Sequence, residues 1–88
     1  MYRILVCDDD KAIVDSICIY LKAEGFETET AFNGAEAVKK LYDKDFHCII
    51  MDIMMPVMDG IRATMKIREE SSVPIIFLSA KSEDTDKI

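Results

Sequence analysis

Apolar residues along this chain occur in two patterns, short unbroken runs and longer stretches where they recur every third or fourth position. The run Ile4-Leu5-Val6-Cys7 ends at three aspartates, which predicts a strand buried on both faces. From Asp10 the apolar positions 13, 14, 17, 18 and 21 follow helical spacing, with Asp10 as the cap and Gly25 as a left-handed stop. Phe26-Glu27-Thr28-Glu29-Thr30 alternates bulky or branched residues with glutamates and predicts a strand with one wet face, near a sheet edge. Asn33-Gly34 turns the chain into a second helix carrying Ala35, Val38, Leu41 and Tyr42, and residues 46–51 form a second buried run that ends at Asp52.

Pro56 excludes a regular helix through residues 53–58, so this stretch reads as a loop entering a helix that Asp59 caps and that runs to about Glu70. Residues 73–78 form a further apolar run, with Pro74 at its entry, where a missing N–H does least harm. Ser82, Glu83 and Asp84 resemble the start of one more helix. Strands alternating with helices across short connections predict an α/β fold with a mostly parallel sheet and helices on both faces.

Composition narrows the function classes. Eighty-eight residues suffice for one domain, and a chain that is 50% hydrophobic and 32% charged is neither disordered nor a membrane segment. Seventeen acidic against 11 basic residues give a net charge of -6, which disfavours direct contact with nucleic acid or an anionic membrane. The opening segment is too short for a signal core, so the expected location is cytoplasmic. Cys7, Cys18 and Cys48 are odd in number, lack zinc-type spacing and lie in apolar runs, so they read as reduced core residues. His47, at the start of a strand, reads as a surface or edge residue, and the methionines at 51, 54, 55, 58 and 65 as packing and loop residues.

In a parallel sheet, ligands bind beyond the C-terminal ends of the strands, where the strand order reverses. The first strand delivers Asp8 and Asp9 to that edge, the third Asp52 and the fourth Ser79. Each has an ordinary role open to it, since Asp often caps a helix and Ser often begins a turn. Their joint placement is what points to a site. Two carboxylates about 4 Å apart repel by roughly 4 kcal/mol at an effective dielectric near 20, so three together call for a cation or raised pKa values. All-oxygen ligation suits Mg2+ better than zinc. Such an ion commonly serves phosphoryl chemistry, in which an isolated aspartate such as Asp52 can be the nucleophile and a hydroxyl such as Ser79 can donate to a phosphate oxygen.

Val6-Cys7-Asp8-Asp9-Asp10, the segment from Ile50 through Asp52, Met54, Met55, Pro56 and Asp59 to Gly60, and Phe77-Leu78-Ser79-Ala80-Lys81 together resemble a response regulator receiver domain of two-component signalling. The resemblance runs in order along residues 1–88 as one domain. It implies a flavodoxin-like, doubly wound parallel sheet of strand order 2-1-3-4. It also implies that Asp52 accepts a phosphoryl group from a sensor histidine kinase. Asp8, Asp9, Asp52 and the main-chain carbonyl of Met54 would hold Mg2+, and Ser79 would be the switch hydroxyl. The segments around Met54 and Ser79 most resemble receivers fused to a winged-helix DNA-binding output domain, so DNA would be reached only through that domain.

The family also carries a fifth strand ending in a lysine, an aromatic switch residue and a final helix, none of which the sequence offers. Lys81 follows the fourth strand and is not that lysine. The chain is therefore expected to be a piece of a longer transcription regulator, incomplete at its C-terminus, and to self-associate through an exposed fourth strand. Two other classes compete. One is a receiver fold used as an unphosphorylated binding module. The other is a haloacid-dehalogenase-like phosphatase with Asp8 as nucleophile and Asp10 as acid, which leaves Asp52 without purpose and finds Ala12 where that family has threonine or valine.

Overall fold

The structure is a computed structural model and describes residues 2–78. Its elements alternate along the chain: β1 (Arg3–Cys7), α1 (Lys11–Ala23), β2 (Glu27–Ala31), α2 (Gly34–Asp43), β3 (Cys48–Asp52), α3 (Gly60–Arg68) and β4 (Ile75–Leu78). All strand pairs are parallel, as the alternation of strands and helices predicts, and the order is β2-β1-β3-β4, as the receiver resemblance implies. β2 lies at one edge, in agreement with its half-polar pattern. No described helix is long and apolar enough to cross a membrane.

Two apolar layers sandwich the sheet. Leu5, Cys7, Ile49 and Met51 project to one side and pack with Ala37 of α2 and Ala63 and Ile67 of α3. Ile4 and Val6 project to the other and meet Val14, Cys18 and Leu21 of α1. Alternation along each strand thus assigns successive residues to opposite layers, and helices on both faces explain why the central strands read as unbroken apolar runs.

Local chemistry fixes the helix starts. Asp10 caps α1 by accepting from the N–H groups of Ala12 and Ile13 at 3.0 and 3.4 Å. Asn33 caps α2 through the Glu36 N–H at 2.8 Å, while the Glu36 carboxylate reaches back to the Phe32 N–H at 2.6 Å. Asp59 caps α3 through the Arg62 N–H at 2.8 Å. Each contact satisfies an amide that the first helical turn leaves without an intrahelical acceptor. Gly25, at φ 95°, carries the chain from α1 to β2, a conformation that residues with a Cβ rarely adopt.

Several boundaries differ from the sequence expectation. Phe46 is buried, yet it precedes the ladder, because His47 sits at a bend where its N–H bonds to the Arg3 carbonyl at 2.9 Å. His47 also accepts the Arg3 N–H on Nδ1 at 3.0 Å and packs edge-on against the Tyr2 ring at 4.7 Å, so it ties the start of β1 to the chain entering β3. α3 ends at Arg68 rather than Glu70, where the Glu70 and Ser71 amides both turn back to the Ile67 carbonyl. The strand expected over residues 73–78 begins only at Ile75, after Pro74. The helix start expected at Ser82 lies outside the described residues.

Candidate functional site

The carboxylates converge where the parallel sheet predicts they should. β1 runs directly into Asp8 and Asp9, β3 ends in Asp52, and one carboxylate oxygen from each of the three lies within 4.8 Å of the others. Asp8 and Asp52 are 2% and 1% exposed, whereas Asp9 is open to solvent. The cluster therefore has two buried walls and one exposed lip, across which an ion or phosphoryl group can enter. Asp10, the third of the consecutive aspartates, is engaged as the α1 cap.

Burial sets the electrostatics. Desolvation pushes the Asp8 carboxyl above its ordinary value, and the charges of Asp52 and Asp9 push it further. The Asp10 N–H, donating to Asp8 Oδ1 at 2.9 Å, opposes that rise. Asp52 Oδ1 is buried and finds no hydrogen-bond donor among the described residues. A carboxylate oxygen in that position is normally paired with a donor or a cation. Behind the cluster, the buried Cys7 thiol is pushed up to about 12, chiefly by desolvation and then by the neighbouring carboxylates, and its Sγ lies 3.4 Å from the Asn33 carbonyl. At that value it stays protonated and inert, which agrees with its reading as a core residue.

The loop after Asp52 is held at both ends. The Gly60 N–H donates to the Ile53 carbonyl at 2.8 Å, and the Gly34 N–H donates to the Met58 carbonyl at 2.8 Å. A Cβ at Gly60 would come within 2.3 Å of the Asp52 carbonyl oxygen, and one at Gly34 within 2.4 Å of the Met58 carbonyl oxygen. Both positions therefore require glycine for close approach. In the sequence Gly34 reads only as part of a turn, and neither contact is assigned. The Asp52-to-Gly60 spacing was the available signal, since a short loop returning to its own strand end leaves no room for a side chain.

Between these anchors the Met58 N–H bonds to the Pro56 carbonyl at 2.7 Å, closing a tight turn around Val57, whose φ is 68°. A β-branched residue in the left-handed region is strained. Met54, in the same loop, is exposed and lines an open depression with Asp9, Pro56, Asp59 and Ile61. Of the sequence-predicted site residues, the structure thus brings Asp8, Asp9 and Asp52 together and places Met54 on the same depression as Asp9. Ser79 and Lys81 lie outside the described residues.

The family model for the response regulator receiver domain matches residues 4–88. The transcriptional regulatory protein SrrA of Staphylococcus aureus is 41% identical over 86 residues, which are 98% of this chain and 36% of that protein. The chain thus spans about a third of the length of that relative. Among solved structures, the response regulator TrrA of Thermotoga maritima in complex with Mg2+-BeF superposes with a TM-score of 0.86 at 37% identity, covering 100% of this chain and 77% of that one. The chemotaxis response regulator CheY4 of Vibrio cholerae gives 0.88 at 33% identity, covering 99% and 75%.

Proposed function

Because this chain belongs to the response regulator receiver family, we propose that its acidic cluster is a phosphorylation site, with Asp52 as the acceptor and a sensor histidine kinase as the donor. The observation that carries this reading is the buried Oδ1 of Asp52, which has no hydrogen-bond donor among the described residues, beside Asp8 and the solvent-facing Asp9. A carboxylate oxygen of Asp52 bonds to phosphorus as the phosphorus–nitrogen bond of the kinase phosphohistidine breaks, and the departing ring nitrogen keeps the electron pair and takes up a proton.

Three carboxylates with no buried cationic side chain among the described residues fit a hard divalent ion, and Asp8, Asp9, Asp52 and the Met54 main-chain carbonyl would hold Mg2+. When bound, Mg2+ neutralises negative charge gathered on the phosphoryl oxygens. The relative SrrA is a transcriptional regulator and TrrA was solved with Mg2+-BeF, and both support this assignment. Residues 1–88 act as one cytoplasmic receiver domain, a signalling module that assists its own phosphorylation rather than turning over a substrate. Ser79 is its switch hydroxyl, and transcription is controlled through a DNA-binding output domain outside these residues. The added charge at Asp52 acts on the adjoining loop as a local electrostatic switch.

Acetyl phosphate with Mg2+ tests the reading. The expected product is a hydroxylamine-labile adduct of one phosphoryl group per chain, lost in Asp52→Asn. Steady turnover abolished by Asp8→Asn would instead establish the phosphatase, a reading that needs the Asp10 carboxylate now engaged as the α1 cap. Neither adduct nor turnover would leave a bare binding module. Mg2+ should also raise the Tm of the unphosphorylated chain, and that rise should vanish in Asp52→Asn.

A further inference from the structure

Asn33 carries the chain's one side-chain amide, since the sequence has no second asparagine and no glutamine, and Gly34 follows it. In an Asn–Gly pair the side-chain carbonyl carbon and the next main-chain nitrogen meet most easily, because glycine has no Cβ to shield that nitrogen. In the folded chain both groups are engaged. The Gly34 N–H donates to the Met58 carbonyl at 2.8 Å, and Asn33 Oδ1 accepts the Glu36 N–H at 2.8 Å. Gly34 is buried, with the Met58 carbonyl and Ala63 packed where a side chain would stand. The backbone is also turned away from reaction. At ψ 171° the Gly34 nitrogen is staggered from the Asn33 Cβ, whereas closing a five-membered ring requires the two to be nearly eclipsed. Rotating ψ to that position swings the Gly34 N–H off the Met58 carbonyl, so the ring cannot close while the contact holds.

We propose that Asn33 is a site of spontaneous backbone modification, held shut by the Gly34–Met58 contact and opened when the 53–59 loop lifts from α2. Solvent hydroxide removes the Gly34 amide proton, the nitrogen bonds to Asn33 Cγ, and ammonia departs from that carbon with a proton from water, leaving a succinimide. Water then reopens the ring at either carbonyl. Attack at Cγ breaks its new bond to nitrogen and gives aspartate, which keeps an oxygen for the α2 cap. Attack at the main-chain carbonyl breaks the original peptide bond and gives isoaspartate, whose main chain runs through Cβ and Cγ and is one carbon longer.

That extra carbon falls where Gly34 meets Met58 backbone to backbone, so the isoaspartyl corner loses its register with the loop beside the acidic cluster. Strain favours the opening, because Val57, next to Met58, is held at φ 68° and is 83% exposed. The inference does not depend on Asp52 being phosphorylated.

Intact-mass spectrometry of the 88-residue chain, aged in mildly alkaline buffer, tests the proposal, because no other residue carries a side-chain amide. Asp59–Gly60, whose glycine N–H is held by the Ile53 carbonyl, cyclises only with loss and return of water and leaves the mass unchanged. The expected change is a gain of one water less one ammonia, absent in Asn33→Asp, with isoaspartate at position 33 found by peptide mapping. It should run at least about tenfold faster in concentrated guanidinium chloride than in the folded chain, and the folded-state rate should stay flat at low denaturant, as for a local opening. Met58 packs partly buried on the same core as Leu41, which lies two turns further along α2. Met58→Ala should therefore speed the folded-state reaction at least about threefold over Leu41→Ala. Equal rates in the folded and unfolded chain overturn the proposal. So does a rate that climbs with denaturant from the start, or a Leu41→Ala chain that matches Met58→Ala.

Discussion

Asp8 carries a titration that opposes folding. Its carboxyl is raised in the folded chain, first by burial and then by Asp52 and Asp9, so the folded state holds its proton more tightly than the unfolded state does. Stability contributed this way is full below the ordinary carboxylate value and lost as pH rises through the raised one. Asp8→Asn, which retains an oxygen for the Asp10 N–H, should therefore raise Tm at neutral pH in the absence of divalent ions. For a domain this size, each 1 kcal/mol relieved moves Tm by about 4–8 °C. The gain should fade as pH falls through the raised value and be gone below about pH 4, the ordinary carboxylate value, and calorimetry at several pH values checks it. Val57 presents a different residue-scale tension. Left-handed backbone costs a non-glycine residue about 1–3 kcal/mol, while glycine loses about 0.5–1 kcal/mol in unfolded-state entropy. Val57→Gly should accordingly stabilise the fold by about 1 kcal/mol in urea unfolding, and Val57→Ala, which keeps a Cβ, should gain less.

At the scale of elements, unbroken apolar runs made β1, β3 and β4 readable and polar alternation made β2 readable, because a strand covered on both faces has no polar position to spare and an edge strand does. Capping made the starts of α1 and α3 readable, since Asp10 and Asp59 stand where the helical spacing begins. Boundaries were less legible. Phe46 and Val73 are buried and joined the apolar runs, but burial does not place a residue in a ladder. Contacts distant in sequence were invisible for the same reason, and Glu29 is the clearest case. Its alternation with threonines announced a wet face, whereas it receives Lys40 at 3.0 Å and Lys44 at 2.6 Å from α2 and from the residue that follows it. Those hydrogen bonds lower its carboxyl below the usual range. A depressed acid adds stability that is present above its unfolded value and disappears as pH falls through the folded one. The groups are partly solvated, so Glu29→Gln should lose no more than about 1 kcal/mol at neutral pH and low salt, less at high salt, and nothing in acid.

For the whole molecule, the site was legible because topology does the gathering. Asp9 and Asp52 are far apart in sequence, and only the rule that parallel strands end along one rim brings them together before any coordinate is known. What the rule could not convey was the unequal burial of the three acids, Asp8 and Asp52 sunk and Asp9 exposed. An acid sunk to 1% exposure and another left in solvent divide one formal charge pattern into a floor and a gate.

The glycine contact between α3 and the Asp52 carbonyl constrains how this chain can vary in length. Gly25 has open space around it, so extra residues can loop out there without disturbing the layers. Between Asp52 and Gly60 the chain leaves and returns to nearly the same point, pinned by backbone touching backbone. One residue added to that span would displace the first turn of α3 from the end of β3 and break the backbone contact beside Asp52.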